Sequence, residues 1–139
     1  MPCPTPPLDN HDVLKLGLMD AGRRMRAAAD DPGLFPDARE GLVAFCFEEL
    51  VPHLEDDERW LREASSCSAG GLLADAMRTE ARAMTGAAYE LVGTANPCEA
   101  MATTRVLHTL LAAHAHHQEL LVAAGGHAVV PQPRSRPGG

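Results

Sequence analysis

The chain has 139 residues, a mass of 14.8 kDa and a formal net charge of −7; it is 45% hydrophobic but only 4% aromatic. This length suits one domain. Its 23 alanines, 17 leucines and absent isoleucine favour helices over a β-sandwich or barrel. The acidic balance argues against a nucleic-acid binder, which needs a basic patch, and no apolar run of about 20 residues suits a membrane span. Seven histidines in so small an acidic chain are the feature to explain.

In chain order, residues 1–7 form a proline-rich extension, residues 8–125 a helical domain and residues 126–139 a tail with little to bury. Within the domain four segments carry helical periodicity. The first spans about 8–30, with Asp9 or Asn10 as its cap, and places His11, Leu14, Leu18, Ala21, Met25 and Ala28 on one face. The Asp31-Pro-Gly-Leu-Phe-Pro36 string breaks it. The second spans about 37–64, and its face holds Leu42, Phe45, Cys46, Glu49, Leu50, His53, Asp57, Trp60 and Leu61. Pro52 predicts a kink just before His53.

The third segment, about 72–92, aligns Leu73, Met77, Glu80, Met84, Ala88 and Leu91, and Gly93-Thr-Ala-Asn-Pro97 ends it. The fourth, about 98–124, aligns Leu107, Leu110, Leu111, His114, Gln118 and Leu121, with Gly125-Gly126 as its stop. Four helices with short connections predict an all-α, antiparallel up-down-up-down four-helix bundle.

The first residues lack the basic and apolar regions of a signal peptide, which predicts a cytoplasmic protein. Cys3, Cys46, Cys67 and Cys98 show no CxxC pair and no zinc-ribbon spacing. Four unlinked thiols are the expectation in that compartment.

The informative feature is an echo between the second and fourth helices. The second carries His53-Leu-Glu-Asp-Asp57-Glu58, and the fourth His114-Ala-His-His-Gln118-Glu119. Residues four apart share a helix face, so His53 and Asp57 can converge on one point. Imidazole and carboxylate at this spacing form a helix-borne metal motif in bundle cores. At a rise of about 1.5 Å per residue in an up-down bundle, the heights above one end are roughly 5 Å for His11, 8 Å for Glu119, 10 Å for Asp57, 15 Å for His114 and 16 Å for His53. All five fall in the same half. The rest of the acidic run Glu55–Glu58 reads as a solvated face, Met77 and Met84 as core filler and Trp60 as packing. His108, His116 and His127 carry no functional weight, and His117 lies near the face of His114.

The string Phe45-Cys-Phe-Glu-Glu-Leu-Val-Pro-His53-Leu-Glu-Asp-Asp-Glu-Arg-Trp-Leu61 resembles the second helix of hemerythrin-like, HHE cation-binding domains. The resemblance extends to His11 and to His114 with Gln118-Glu119, over roughly residues 8–124. It implies a four-helix bundle around a non-haem di-iron centre with five histidines and two bridging carboxylates, which binds oxygen or nitric oxide or acts in iron and redox sensing. This chain departs from that pattern. Where the family's third helix supplies two histidines, Met77-Arg-Thr-Glu80-Ala81 stands here. His11, His53, Asp57 and Glu119 match one half of the centre, and His114 alone survives of the other.

The resemblance therefore implies a reduced site: one ion at most, of iron, zinc or manganese, held by His11, His53, Asp57, His114 and Glu119. The ion, and a small diatomic ligand on it, are the partners this implies. The alternative is a metal-free interaction or ligand-binding module of the same fold, with an apolar pocket at Met77 and Ala81. Imidazoles more than about 8 Å apart would favour that alternative, because donors that distant cannot share one ion. A base-catalysed enzyme using Glu80 or His114 has less behind it, since no nucleophile–base pair is apparent.

Overall fold

The computed structural model describes residues 11–67 and 70–129, and every element within them is helical. The first helix, α1, is His11–Asp30. Asp31 then accepts a hydrogen bond from the Gly33 amide at 3.2 Å, capping a short 3₁₀ turn at Pro32–Leu34. The second helical span is α2 (Phe35–Phe45), a π turn (Cys46–Leu50) and α3 (Val51–Ser65), which run on without interruption. α4 is Gly71–Gly93 and α5 is Pro97–Val129. The described residues thus form an all-α fold of four helical spans.

Two boundaries differ from the sequence reading. Pro36 lies inside the first turn of α2 rather than before it. Proline is tolerated there because a first-turn amide has no intrahelical acceptor to lose. At the other end, Gly125-Gly126 does not stop the last helix, which continues to Val129. Glycine lowers helix propensity by about 1 kcal/mol but keeps its amide, so the backbone ladder can pass through it. The proline-rich extension 1–7, the proposed caps Asp9 and Asn10, and tail residues 130–139 lie outside the described residues.

At Pro52, where the sequence predicts a kink, the helix carries a π turn. The proline ring has no N–H and would crowd the carbonyl four residues back. The chain answers with the π turn just before it, where the Val51 amide bonds the Cys46 carbonyl. That five-residue step inserts one extra residue into the helix. Around it Leu50, Val51, Leu54, Asp57, Trp60, Leu61 and Ala64 are buried, so Leu50, Asp57, Trp60 and Leu61 stand inward as expected, whereas Glu49 is exposed despite its place on the sequence stripe.

The predicted stripe of α1 is the buried one throughout. α1 packs against α2 and α5, and α4 packs against α3 and α5. Arg39 of α2 donates to the Thr94 carbonyl at 2.8 Å, and Arg78 of α4 pairs with Glu58 of α3 at 3.0 Å. The core has two apolar parts. The larger includes Leu14, Leu18, Met25, Leu42, Leu50, Leu54, Ala81, Met84 and Leu111. The smaller holds Trp60, Leu61, Ala64, Ala74, Met77 and Leu121. Along each helix a polar residue stands at the border: His11 one turn before Leu14, Asp57 between Leu54 and Trp60, Glu80 between Met77 and Ala81, and His114 with Gln118 between Leu111 and Leu121. The candidate site is this polar layer in an otherwise apolar interior.

Candidate metal centre

Asp57 is the middle of the layer. Its side chain is 1% exposed, and three side chains approach it. Trp60, one turn further along α3, donates Nε1–H to Oδ1 at 3.4 Å. His53, one turn before it, places Nε2 3.1 Å from Oδ2, and His114 of α5 places Nε2 3.4 Å from the same oxygen. Trp60 is therefore both packing and a hydrogen-bond donor to the site. His11 completes the group, its ring 5.0 Å from that of His53 and 5.4 Å from that of His114, edge-on to both. Donor atoms of His11, Asp57 and His114 all lie within 4.8 Å of one another.

The electrostatics follow from burial. Taking Asp57 out of water raises its pKa, but hydrogen bonds and charge from His114 and His53 outweigh this and hold the carboxyl well below the usual range. His11 is pushed from 6.5 down to about 4, first by burial and then by the neighbouring His53 and His114. Its imidazole is therefore neutral near pH 7 and offers a lone pair.

His114 is fully buried between two carboxylates. Beyond Asp57 on its Nε2 side, its Nδ1 stands 3.4 Å from Glu80 Oε1. A neutral imidazole carries one N–H and cannot donate to both. Its Nε2 hydrogen-bonds Asp57, so Nδ1 meets Glu80 with a donor only when the ring carries a second proton.

The residues fit a divalent cation. Two donors bound at about 2.1 Å to one tetrahedral or octahedral ion stand about 3.0–3.4 Å apart. The His53–Asp57 and His114–Asp57 separations of 3.1 and 3.4 Å match that edge. Imidazole with one carboxylate is a borderline donor set that suits iron(II), zinc(II) or manganese(II). The Gln118 carbonyl oxygen is also buried and makes no hydrogen bond among the described residues, another acceptor in the same layer.

Of the five residues expected at the site, His11, His53, Asp57 and His114 come together. Glu119 does not. Its side chain is 79% exposed, and its partner is the exposed His116 at 3.9 Å. Five residues from His114 is about 140° around the helix, whereas Gln118, four residues on, faces inward and is buried.

Sequence reasoning underweighted Glu80 and His117. Glu80 Oε2 lies 2.6 Å from His117 Nδ1, so Glu80 bridges His114 and His117. A signal existed, because Glu80 was an acidic residue on the apolar stripe of Met77 and Met84. The other acidic residues near Asp57 are peripheral as expected: Asp56 is exposed, and Glu58 pairs with Arg62 and Arg78. His108 is held below its usual pKa by burial, partly offset by a hydrogen bond to the Leu18 backbone, and does not join the cluster.

The cysteines depart from the expectation of four unlinked thiols: Cys46 and Cys98 are free, whereas Cys67 is disulfide-bonded. No helix among the described residues is long and apolar enough to cross a membrane. Comparison with protein-family models, curated proteins and solved structures finds no match to this chain, so its assignment rests on the residues themselves.

Proposed function

We propose that this protein is a hemerythrin-like metal-binding protein with a single non-haem metal ion, iron in the first instance and zinc or manganese as competitors. The fold would be the antiparallel up-down-up-down bundle, with His11, His53, Asp57 and His114 as ligands, and the protein would work in the cytoplasm. The observation that carries the reading is the convergence of three histidines from three helical spans on one buried carboxylate.

Ring separations of 5.0 and 5.4 Å are well inside the roughly 8 Å beyond which no ion could be shared. With iron bound, such a site supplies a one-electron redox centre and a place for oxygen or nitric oxide. The protein's own part is to exclude water with Leu54, Leu111, Leu61 and Met77, to hold Asp57 ionised, and to present the neutral imidazole of His11 beside His53 and His114. Metal, diatomic-ligand or redox sensing and handling are the roles this chemistry serves.

The test is metal analysis of protein purified without a histidine tag, beside a His53→Ala/Asp57→Ala variant. The parent should carry close to one ion per chain after iron(II) loading, and the variant little. Trace metal in the parent, or equal loading in both, defeats the proposal and favours a metal-free interaction or ligand-binding module. An oxo-bridged di-iron absorption band would overturn the one-ion part alone.

A further inference from the structure

Gln118 stands one turn beyond His114 on the inward face of α5 and is not among the ligands proposed for the ion. It is 4% exposed, and its amide oxygen is shielded from water and makes no hydrogen bond among the described residues. A buried polar group left without a partner costs about 1–3 kcal/mol. The inward residues before and after this stretch of α5, Leu111 and Leu121, belong to the apolar core. A leucine at position 118 would continue that face without the cost.

The helix decides where the oxygen can reach. Side chains on an α-helix lean toward its N-terminus, so a long side chain at position 118 covers the turn that carries His114. His114 is fully buried and places Nε2 3.4 Å from Asp57 Oδ2. An amide oxygen only accepts, and the carboxylate in the middle of the layer only accepts as well, so the two cannot bond each other. A cation held by Asp57 and the imidazoles satisfies both.

We propose that Gln118 is the fifth donor of the centre, binding the ion through its amide oxygen, and that it sets the metal preference toward iron(II) or manganese(II) over zinc(II). This rests on the metal-binding reading. His11, His53, His114 and one oxygen of Asp57 complete a four-coordinate zinc shell by themselves. Iron(II) and manganese(II) take more ligands, and a carbonyl oxygen suits the harder ion. Because the amide is neutral, Asp57 remains the sole carboxylate among the five donors.

The experiment compares the parent, Gln118→Leu and Gln118→Glu. Leucine keeps the bulk and removes the donor, whereas glutamate keeps an oxygen. Affinities for manganese(II) and zinc(II) are measured by competition with a chromophoric chelator. Manganese affinity should fall about 10-fold or more in Gln118→Leu and recover in Gln118→Glu, while zinc affinity falls much less. A second readout follows the side chain itself. The chain has two glutamines, Gln118 and Gln132, so ¹³C labelling of the glutamine carboxamide gives two signals, and either variant removes that of Gln118. Cadmium(II), a larger diamagnetic ion that accepts more than four ligands, should move the Gln118 carbon downfield and leave that of Gln132 in place. An unmoved Gln118 signal at saturating cadmium, or equal manganese affinity in the parent and Gln118→Leu, overturns the role of Gln118. Equal loss of zinc and manganese in Gln118→Leu, or a parent that binds zinc but no manganese, overturns the metal preference. Failure of the parent to bind any of the three ions defeats the metal-binding reading instead. If Gln118→Leu does not fold, the cadmium shift in the parent, assigned with Gln118→Glu, still decides.

Discussion

Removing His11 should flatten the acid side of the stability profile in metal-free protein. His11 is buried, and its folded pKa lies at about 4 against 6.5 when unfolded. The unfolded chain therefore takes up a proton before the folded one does. The stability associated with this difference is complete above pH 6.5 and is lost progressively as the pH falls from 6.5 toward 4. Between about pH 7.5 and about pH 5 the linkage relation gives a loss of about 2 kcal/mol from this one group.

The chosen window matters. Asp57, whose folded pKa is depressed, contributes stability that is present above its unfolded value of 3.8 and lost only as the pH falls below it. It is therefore nearly silent between pH 7.5 and 5. The assay is urea unfolding followed by far-ultraviolet circular dichroism, in the presence of a chelator, for the parent and for His11→Leu. The variant should lose about 2 kcal/mol less than the parent on going to pH 5. Equal losses in the two proteins would refute the placement of His11 as a buried, neutral imidazole among His53 and His114.

Other outcomes follow from the same geometry. Glu119→Ala should leave metal loading and affinity unchanged, because Glu119 is exposed and remote from Asp57, whereas Asp57→Asn should abolish tight binding; isothermal titration with zinc separates the two. In native protein Cys98 should react with iodoacetamide while Cys46 stays protected. Cys98 is exposed, whereas burial pushes the Cys46 thiol from 9 up to about 12; mass spectrometry after brief alkylation reads the difference. Gly70→Ala should destabilise the protein by about 1–2 kcal/mol in urea unfolding. Gly70 enters α4 at a φ of 80°, and a Cβ there would meet Leu121 Cδ1 at 2.5 Å.

Much of this protein was legible in its sequence. The α1 stripe from His11 to Ala28 appears in the structure residue for residue, because a 3.6-residue period leaves one inward face. The His53–Asp57 pair was legible for the same reason: four residues apart on one helix is a local distance that no partner helix has to set. The chain order of four helical spans followed from breakers at residues 31–36, 65–71 and 93–97, which act on the backbone alone.

Tertiary structure decided which polar groups meet across helices. Glu119 and Gln118 differ by one position, and the rotation of α5 against its neighbours turns Gln118 inward and Glu119 to solvent. Periodicity recognised Glu80 on an apolar stripe, but only the packing of α4 against α5 placed it between His114 and His117. The π turn before Pro52 is a compromise between a missing amide and a continuous helix; Glu49 inside it is turned to solvent, while Asp57, Trp60 and Leu61 beyond it keep the inward places read from the sequence. Local periods are written in the chain; the azimuth of one helix relative to another is set by side-chain volumes on both, and no single segment contains that information.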